Sequence, residues 1–322
     1  MKSVQINKYG GSDVVEITQN TPSPSISPDK ILVDIKAAGV NPVDWKIREG
    51  YMKEMAPLTF PSTLGMDFSG IIKEVGSKKQ EQQGGSVSID FREGDEVYGQ
   101  STVLGGGTGS FAELALTTAN IIAPKPKNLS FIETAALPLV GVSAWQAIVE
   151  NMKLSEGQKI LIHGGAGRIG SIAIQLAKSL RTYVATTVNT NDMEFVKNLG
   201  ADEVIDYKNK SFDDLLHDYD AVFDTVGGQT YMKSFKILKK NRESIIVSML
   251  EQPNNDLMQQ FGVTAIFQLT EVNRDRLIKL GQWVDQNNIK VNVEKTISLD
   301  EASKALDYVK DVHPRGKIVL TV

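Results

Sequence analysis

Three glycines give the first chemical pointer in this chain of 322 residues. Gly165, Gly167 and Gly170 spell G-x-G-x-x-G within ILIHGGAGRIGSIAIQLAK (160–178), directly after an apolar run and at the opening of a helical one. A glycine triplet alone is a weak sign, but between a strand and a helix it points to a dinucleotide pyrophosphate. Gly165 permits the tight turn, Gly167 lets the backbone close on the phosphates, and Gly170 lets helix and strand pack together. The loop therefore offers Ala166 and the N–H groups of Gly167, Arg168 and Ile169 to a phosphate, with the helix dipole behind them.

The ribose is read from the next strand. It ends Thr186, Thr187, Val188, Asn189, with no carboxylate at its tip; Asp192 and Glu194 belong to the helix beyond. An acid there would accept from a 2′-hydroxyl and repel a 2′-phosphate, so its absence favours NADPH over NADH. Thr187 and Asn189 are the local donors. Tyr207 and Lys208, after the third strand, are candidates for the rest of the phosphate pocket. Asp224 and Val226, at the end of DAVFDTVG, count as further cofactor contacts.

These residues must be held by alternating elements. QKILIHGG, TYVATTV, DEVIDY and DAVFDTVG read as strands, GSIAIQLAKSL and DMEFVKNLG as helices, the second closed by Gly200. Repeated βα units imply a parallel sheet with right-handed crossovers. The first third differs. Short β-rich runs at 30–40, 68–76, 95–99 and 110–118 suit a small barrel-like or sandwich domain. Stretch 21–30, with three prolines, reads as a loop, and the polar stretch 77–90 as a mobile surface excursion. The pattern changes near Pro124. A helix is expected over 131–150 with Ser130 as its cap, others over 274–288 and 299–311, the last capped by Asp300, and a closing strand over 316–322.

Composition narrows the chemistry. With no cysteine, disulfides, iron–sulfur clusters, thiolate zinc and cysteine nucleophiles are excluded. The histidines are His163, His217 and His313, too scattered in sequence to suggest a metal site. A net charge of −4 (35 basic against 39 acidic residues) gives no reason to expect nucleic acid or an anionic membrane. The N-terminus lacks an apolar signal core and nothing approaches about 18 apolar residues, so a soluble, cytoplasmic protein is expected.

The stretches AAGVNPVDWKIREG, LGMDFSGIIKEVG, REGDEVYG, GSFAELAL, AALPLVGVSAWQAI, GAGRIGSIAIQLAK, NLGADEVIDYK, VFDTVGG and RGKIVLTV, in this order, resemble the zinc-independent medium-chain dehydrogenase/reductases, in the quinone oxidoreductase (zeta-crystallin-like) branch. The resemblance implies an α/β fold: a GroES-like β domain from 1–124 and 270–322, plus a Rossmann domain, a doubly wound parallel sheet, from 125–269. Zinc-dependent relatives carry Cys and His where this chain has Asn41 and Met66, so a metal-free reductase is implied. Relatives that use NADPH often carry Lys where this chain has Met193.

Without a metal, hydrogen-bond donors must stabilise the oxygen that gains charge when hydride is delivered, or solvent must protonate it. The candidates are Asn41, Lys46 and Tyr51. The resemblance places Asn41 near the nicotinamide, and relatives often have Tyr in place of Lys46. Ser143 matches a hydroxyl that faces the nicotinamide in relatives; the alternative is a helix-interior hydroxyl bonded to its own backbone. Asp44 reads as a helix-start residue, His163 as a buried structural histidine, and Trp45 and Trp145 as wall or core. The expected function is hydride transfer from NADPH to a quinone. The alternatives are reduction of a 2-alkenal or enone and a non-catalytic NADPH-binding sensor. A homodimer is expected, paired through an edge strand in 262–271.

Overall fold

The ten-residue strand Ile31–Val40 is buried along almost its whole length and organises the first half of the chain. In this computed structural model, which describes every residue except 78–79, 83–84, 88–90, 106, 242 and 313, the chain divides into two compact units. One comprises Met1–Leu139 and Val272–Val322, the other Val140–Glu271.

The first unit is a β domain. Ile31–Val40 pairs antiparallel with Asp67–Val75, with Leu114–Thr117 and with the closing strand Lys317–Thr321, in a seven-stranded sheet; a three-stranded sheet is built on Ser3–Ile6. Register matters more than strand count. Asp67 lies opposite both Gly39 and Gln100, and Val40 lies opposite Ile318. Four residues far apart in sequence, Asn41, Asp67, Gln100 and Lys317, are thereby delivered to one end of the sheet. Gly39 is required here: a Cβ would sit 2.2 Å from the Ala135 carbonyl oxygen and 3.1 Å from Lys317 Cε.

The composition shift near Pro124 precedes the unit boundary. The short helix Phe131–Ala135 packs on Ile31–Val40 and Asp67–Val75, and Ser69 donates to the Phe131 carbonyl (2.6 Å). The expected helix over 131–150 is broken. Ser130 does cap Phe131–Ala135 through the Glu133 N–H (3.3 Å), but Pro138, with no N–H to give, starts a new helix, Pro138–Trp145, followed by a π-helical stretch, Gln146–Asn151. Ser298, not Asp300, serves the last helix: its Oγ accepts the Asp300 N–H in a 3-10 turn ahead of Ala302–Asp311. Of the 77–90 stretch, Gln80–Gln82 pairs with Gly85–Val87; residues 78–79, 83–84 and 88–90 lie outside the described set, and with them the expectation of a mobile excursion.

The second unit is a six-stranded, all-parallel sheet. Numbered along the chain its strand order is 3-2-1-4-5-6, with Lys159–His163 first and Ala221–Asp224 fourth. This is the doubly wound arrangement, whose ligand crevice opens at the carboxyl ends of strands one and four, where the winding reverses. Thr264–Phe267 forms the outer edge beside Ile245–Ser248, within the stretch expected to do so. Among the described residues no helix is long and apolar enough to cross a membrane.

Candidate cofactor and reaction site

The glycine loop stands at the carboxyl end of Lys159–His163 and leads into the helix Arg168–Ser179. Gly164 has φ +70°, a left-handed turn, and Gly167 is the helix N-cap, bringing no side chain to its own first-turn N–H groups. Added Cβ atoms would fall 2.0 Å from Thr186 Oγ1 at Gly165 and 2.3 Å from the Gly164 carbonyl oxygen at Gly170. At Gly167 the one neighbour is that same oxygen, at 3.1 Å. Gly165 and Gly170 are thus glycines because the protein itself presses on them. The Gly167 N–H, expected to face a phosphate, is instead spent on the Gly164 carbonyl (2.9 Å), and Gly167 keeps an open approach to the first turn of the helix, which is what a pyrophosphate needs.

The donors at the second strand are placed differently from expectation. Thr187 is buried, and its hydroxyl bonds His163 Nδ1 (3.0 Å). That hydroxyl is thus turned into the protein, toward the imidazole. Asn189 folds back on its own turn, accepting the Asn191 N–H (2.9 Å) and donating to Asp192. Asp206, at the tip of the third strand, accepts from Thr190, Asn209 and the Lys208 N–H, and these donors hold its carboxyl below the usual range. Tyr207 and Lys208 themselves are exposed. Asp224 is fully buried and accepts from the N–H groups of Val226 (3.0 Å) and Gly227 (2.9 Å) and from Ser248 (2.7 Å), so it shapes the turn that presents Val226 to solvent. The Ser143 hydroxyl pairs with Thr270 (2.6 Å), across to the far end of its unit, and Gln268 holds the Ser143 carbonyl (2.9 Å).

In the β unit the polar residues separate into two groups. Lys46 and Tyr51 are exposed and gather on Trp45, whose ring lies 5.6 Å from Tyr51 and 5.7 Å from Lys46 Nζ. Asn41 is instead buried. Its carboxamide oxygen is taken by Lys317, and one Nδ2 hydrogen goes to Asp67 (2.9 Å), leaving a single N–H for any other partner. Asp67 also accepts from Lys317 (3.1 Å), Gln100 (2.9 Å) and the Leu139 N–H (3.2 Å). Asp44 is the helix-start residue expected: its Oδ2 accepts the Asn41 N–H (2.7 Å) at the head of Pro42–Arg48. Its Oδ1 is buried with no hydrogen-bond partner. Burial above all, with Asp67 adding repulsion, pushes the Asp44 carboxyl up to about 7, against the pull of the Asn41 N–H and Lys317. The far end of that helix is fixed by buried Arg48, which bonds Asp307 (2.8 Å) and Glu49 (2.9 Å).

Lys317 was missed by sequence reasoning. Its signal is a lone charge at the start of an apolar strand, GKIVLTV, but its partners lie 250 and 276 residues away, beyond the reach of any local pattern. The donor set does not suit zinc. Asn41 and Met66 stand where ligands would be expected, and an ammonium already neutralises Asp67, so a dication would face a buried cation. No group of three His, Cys, Asp or Glu among the described residues could hold a metal.

Residues 27–127 match the family model of the alcohol dehydrogenase GroES-like domain, and 199–320 that of zinc-binding dehydrogenases. The chain is 35% identical to a 2-methylene-furan-3-one reductase of Solanum lycopersicum, over 99% of this chain and 79% of that one. It is 34% identical to a chloroplastic NADPH-dependent alkenal/one oxidoreductase of Arabidopsis thaliana, with the same coverage of 99% and 79%. The solved structure of a quinone oxidoreductase from Coxiella burnetii superposes with a TM-score of 0.84 at 31% identity, covering 100% of this chain and 99% of that one.

Proposed function

The chain belongs to the medium-chain dehydrogenase/reductase superfamily, and from that premise we propose that it is a zinc-free, NADPH-dependent reductase whose acceptor is a quinone. One observation carries the reading: a helix N-terminus to which the capping residue, Gly167, brings no side chain, in a loop whose other glycines are packed against the protein around them. NADPH, when bound, supplies a hydride to an electron-poor carbon. The chain's part is to hold the pyrophosphate on the first-turn N–H groups of the helix Arg168–Ser179 and to place a donor beside the oxygen that gains charge. Lys46 and Tyr51, the exposed donors, are assigned to that oxygen. Asn41 can offer only its one remaining N–H. A quinone or enone suits such a site because its product anion is delocalised and needs less stabilisation than an alkoxide.

The 2′-phosphate pocket is assigned to exposed Tyr207 and Lys208 in place of Thr187, whose hydroxyl is committed. Reduction of a 2-alkenal or enone is kept as the second reading, because relatives at 34 and 35% identity are named for such acceptors. Steady-state turnover with NADPH and NADH against a simple quinone and a 2-enone tests both. Faster quinone reduction supports the first reading and faster enone reduction the second; tight NADPH binding with no turnover on either would leave a sensor. Metal analysis is expected to return no stoichiometric zinc. A C2 dimer through the Thr264–Phe267 edge is also proposed, and sedimentation showing only monomer at micromolar concentration would reject it.

A further inference from the structure

We propose that His163 is a positioning residue for the cofactor: its neutral imidazole, protonated on Nε2, orients the Thr187 hydroxyl and so fixes the phosphate loop in its binding shape. The proposal rests on the nucleotide-binding reading above.

The tautomer follows from the hydrogen bonds. Ser234 Oγ has one hydrogen and donates it to the Thr230 carbonyl (2.7 Å). Its bond to His163 Nε2 (2.9 Å) must then be one it accepts, so Nε2 carries the proton. Nδ1 is left as an acceptor, and the Thr187 hydroxyl, 3.0 Å away, donates to it. With its hydrogen spent, Thr187 Oγ1 turns a lone pair to the Gly164 N–H (3.4 Å), while the Thr187 carbonyl takes the Gly165 N–H (3.3 Å). Every donor and acceptor along Gly164, Thr187, His163, Ser234 and Thr230 is thus set in one direction. Complete burial keeps the imidazole neutral, pulling its pKa down to about 3.

The ring joins three segments at the carboxyl edge of the sheet. His163 is the last residue before the glycine loop, Thr187 lies near the end of the neighbouring strand, and Ser234 closes the helix that follows the Asp224 turn. The His163 carbonyl also accepts from Thr225 (2.8 Å), in that same turn. A purely apolar side chain of similar size would fill the space but leave Thr187 without an acceptor, free to rotate away from the Gly164 N–H.

Two substitutions separate the two ring nitrogens. In His163→Asn the carboxamide oxygen stands near the place of Nδ1 and keeps the Thr187 acceptor. In His163→Gln the amide nitrogen stands near the place of Nε2 and keeps the Ser234 donor but loses Thr187. NADPH dissociation constants are expected within about threefold of wild type for His163→Asn and about tenfold weaker for His163→Gln, the size of one buried hydrogen bond. Thr187→Val is expected to match His163→Gln. Imidazole 15N spectra of the wild type need no variant to fold, and should show a neutral ring with the proton on Nε2. An Nδ1–H ring or an imidazolium would overturn the proposal, as would equal effects of the Asn and Gln substitutions. A wild type that binds no nicotinamide dinucleotide would defeat the proposed function itself; one that binds while both variants match it would defeat this role alone.

Discussion

The two units solve opposite problems with opposite materials. The β unit buries charge: Lys317, Asp67, Asp44 and the Asn41 amide lie together in its interior, each held by the others. The second unit removes side chains: its glycine loop ties its own N–H groups to Thr187 and Gly164, brings no side chain to the first turn of the helix that follows, and keeps its polar side chains turned inward on His163 and Asp224. A buried ion cluster fixes geometry but leaves an uncompensated charge when a member is lost. A helix start with a glycine cap and no side-chain cap bond has little side-chain structure to lose, so changing it should alter binding far more than stability. Substitutions in the two places should therefore fail in different ways.

The largest effect is expected from Lys317→Met. It removes the ammonium and leaves Asp67 and the Asn41 carboxamide oxygen buried without that partner. Stability should fall by about 3–5 kcal/mol, read as a lower urea midpoint at unchanged slope. NADPH affinity of the folded fraction should stay near wild type. A neutral result would mean that the cluster does not depend on this ammonium, and the contrast between a charged and a charge-free unit would weaken.

Asp44 gives the same unit a pH dependence. Its carboxyl titrates near 7 in the folded protein against 3.8 as a model acid. Below that lower value both states hold the proton. Between the two values the unfolded chain releases it and the folded chain keeps it, so stability falls as pH rises through this window, by roughly 1.4 kcal/mol per unit from this group. Above about 7 both states are ionised and the penalty is constant. Asp44→Asn can still accept the Asn41 N–H and should be about 2–4 kcal/mol more stable relative to wild type at pH 8 than at pH 4, from the same linkage. Parallel stability–pH curves for the two proteins would show that Asp44 ionises normally when folded.

Legibility in the sequence followed the same division. The nucleotide loop could be read because its information is local: three glycines within six residues, after an apolar strand. The parallel sheet around it followed from alternating βα units; its strand order is seen only in the structure. The β-unit cluster could not be read, since it depends on the register of three strand pairs and on a lysine near the far end of the chain. Thr187 shows a subtler limit. Its position at the strand end was legible, but the side to which its hydroxyl turns was decided by His163, a residue sequence reasoning had set aside as structural. The break at Pro138 was available in the sequence and was overridden by the helical spacing on either side of it.

The loop's own test is Gly167→Ala. Its Cβ would meet only the Gly164 oxygen, at 3.1 Å, so the fold should absorb it with a small loss of stability. The methyl group would stand in the phosphate approach. NADPH and NADH should both bind about ten- to a hundredfold more weakly, because the pyrophosphate is common to both. Comparable losses of stability and affinity would mean that the loop is held as tightly as the β-unit cluster.

The smallest effect is expected at Lys208, and it decides where the second unit distinguishes its cofactors. Lys208 is exposed just beyond the third strand, its backbone N–H fixed by Asp206 (3.1 Å) and its ammonium on the solvent side. An exposed charge pair contributes up to about 1 kcal/mol, so Lys208→Ala should weaken NADPH binding about two- to fivefold and leave NADH unchanged. Raising the salt concentration should shrink the difference between wild type and variant, since the pair is screened by solvent. Tyr207→Phe, made alongside, removes a hydroxyl donor and not a charge, so any loss it causes should persist at high salt. If Lys208→Ala weakens both dinucleotides equally, the side chain supports the loop and does not meet the 2′-phosphate. If it weakens neither, NADPH preference cannot rest on this ammonium, and Tyr207 is left as the exposed donor at that strand end.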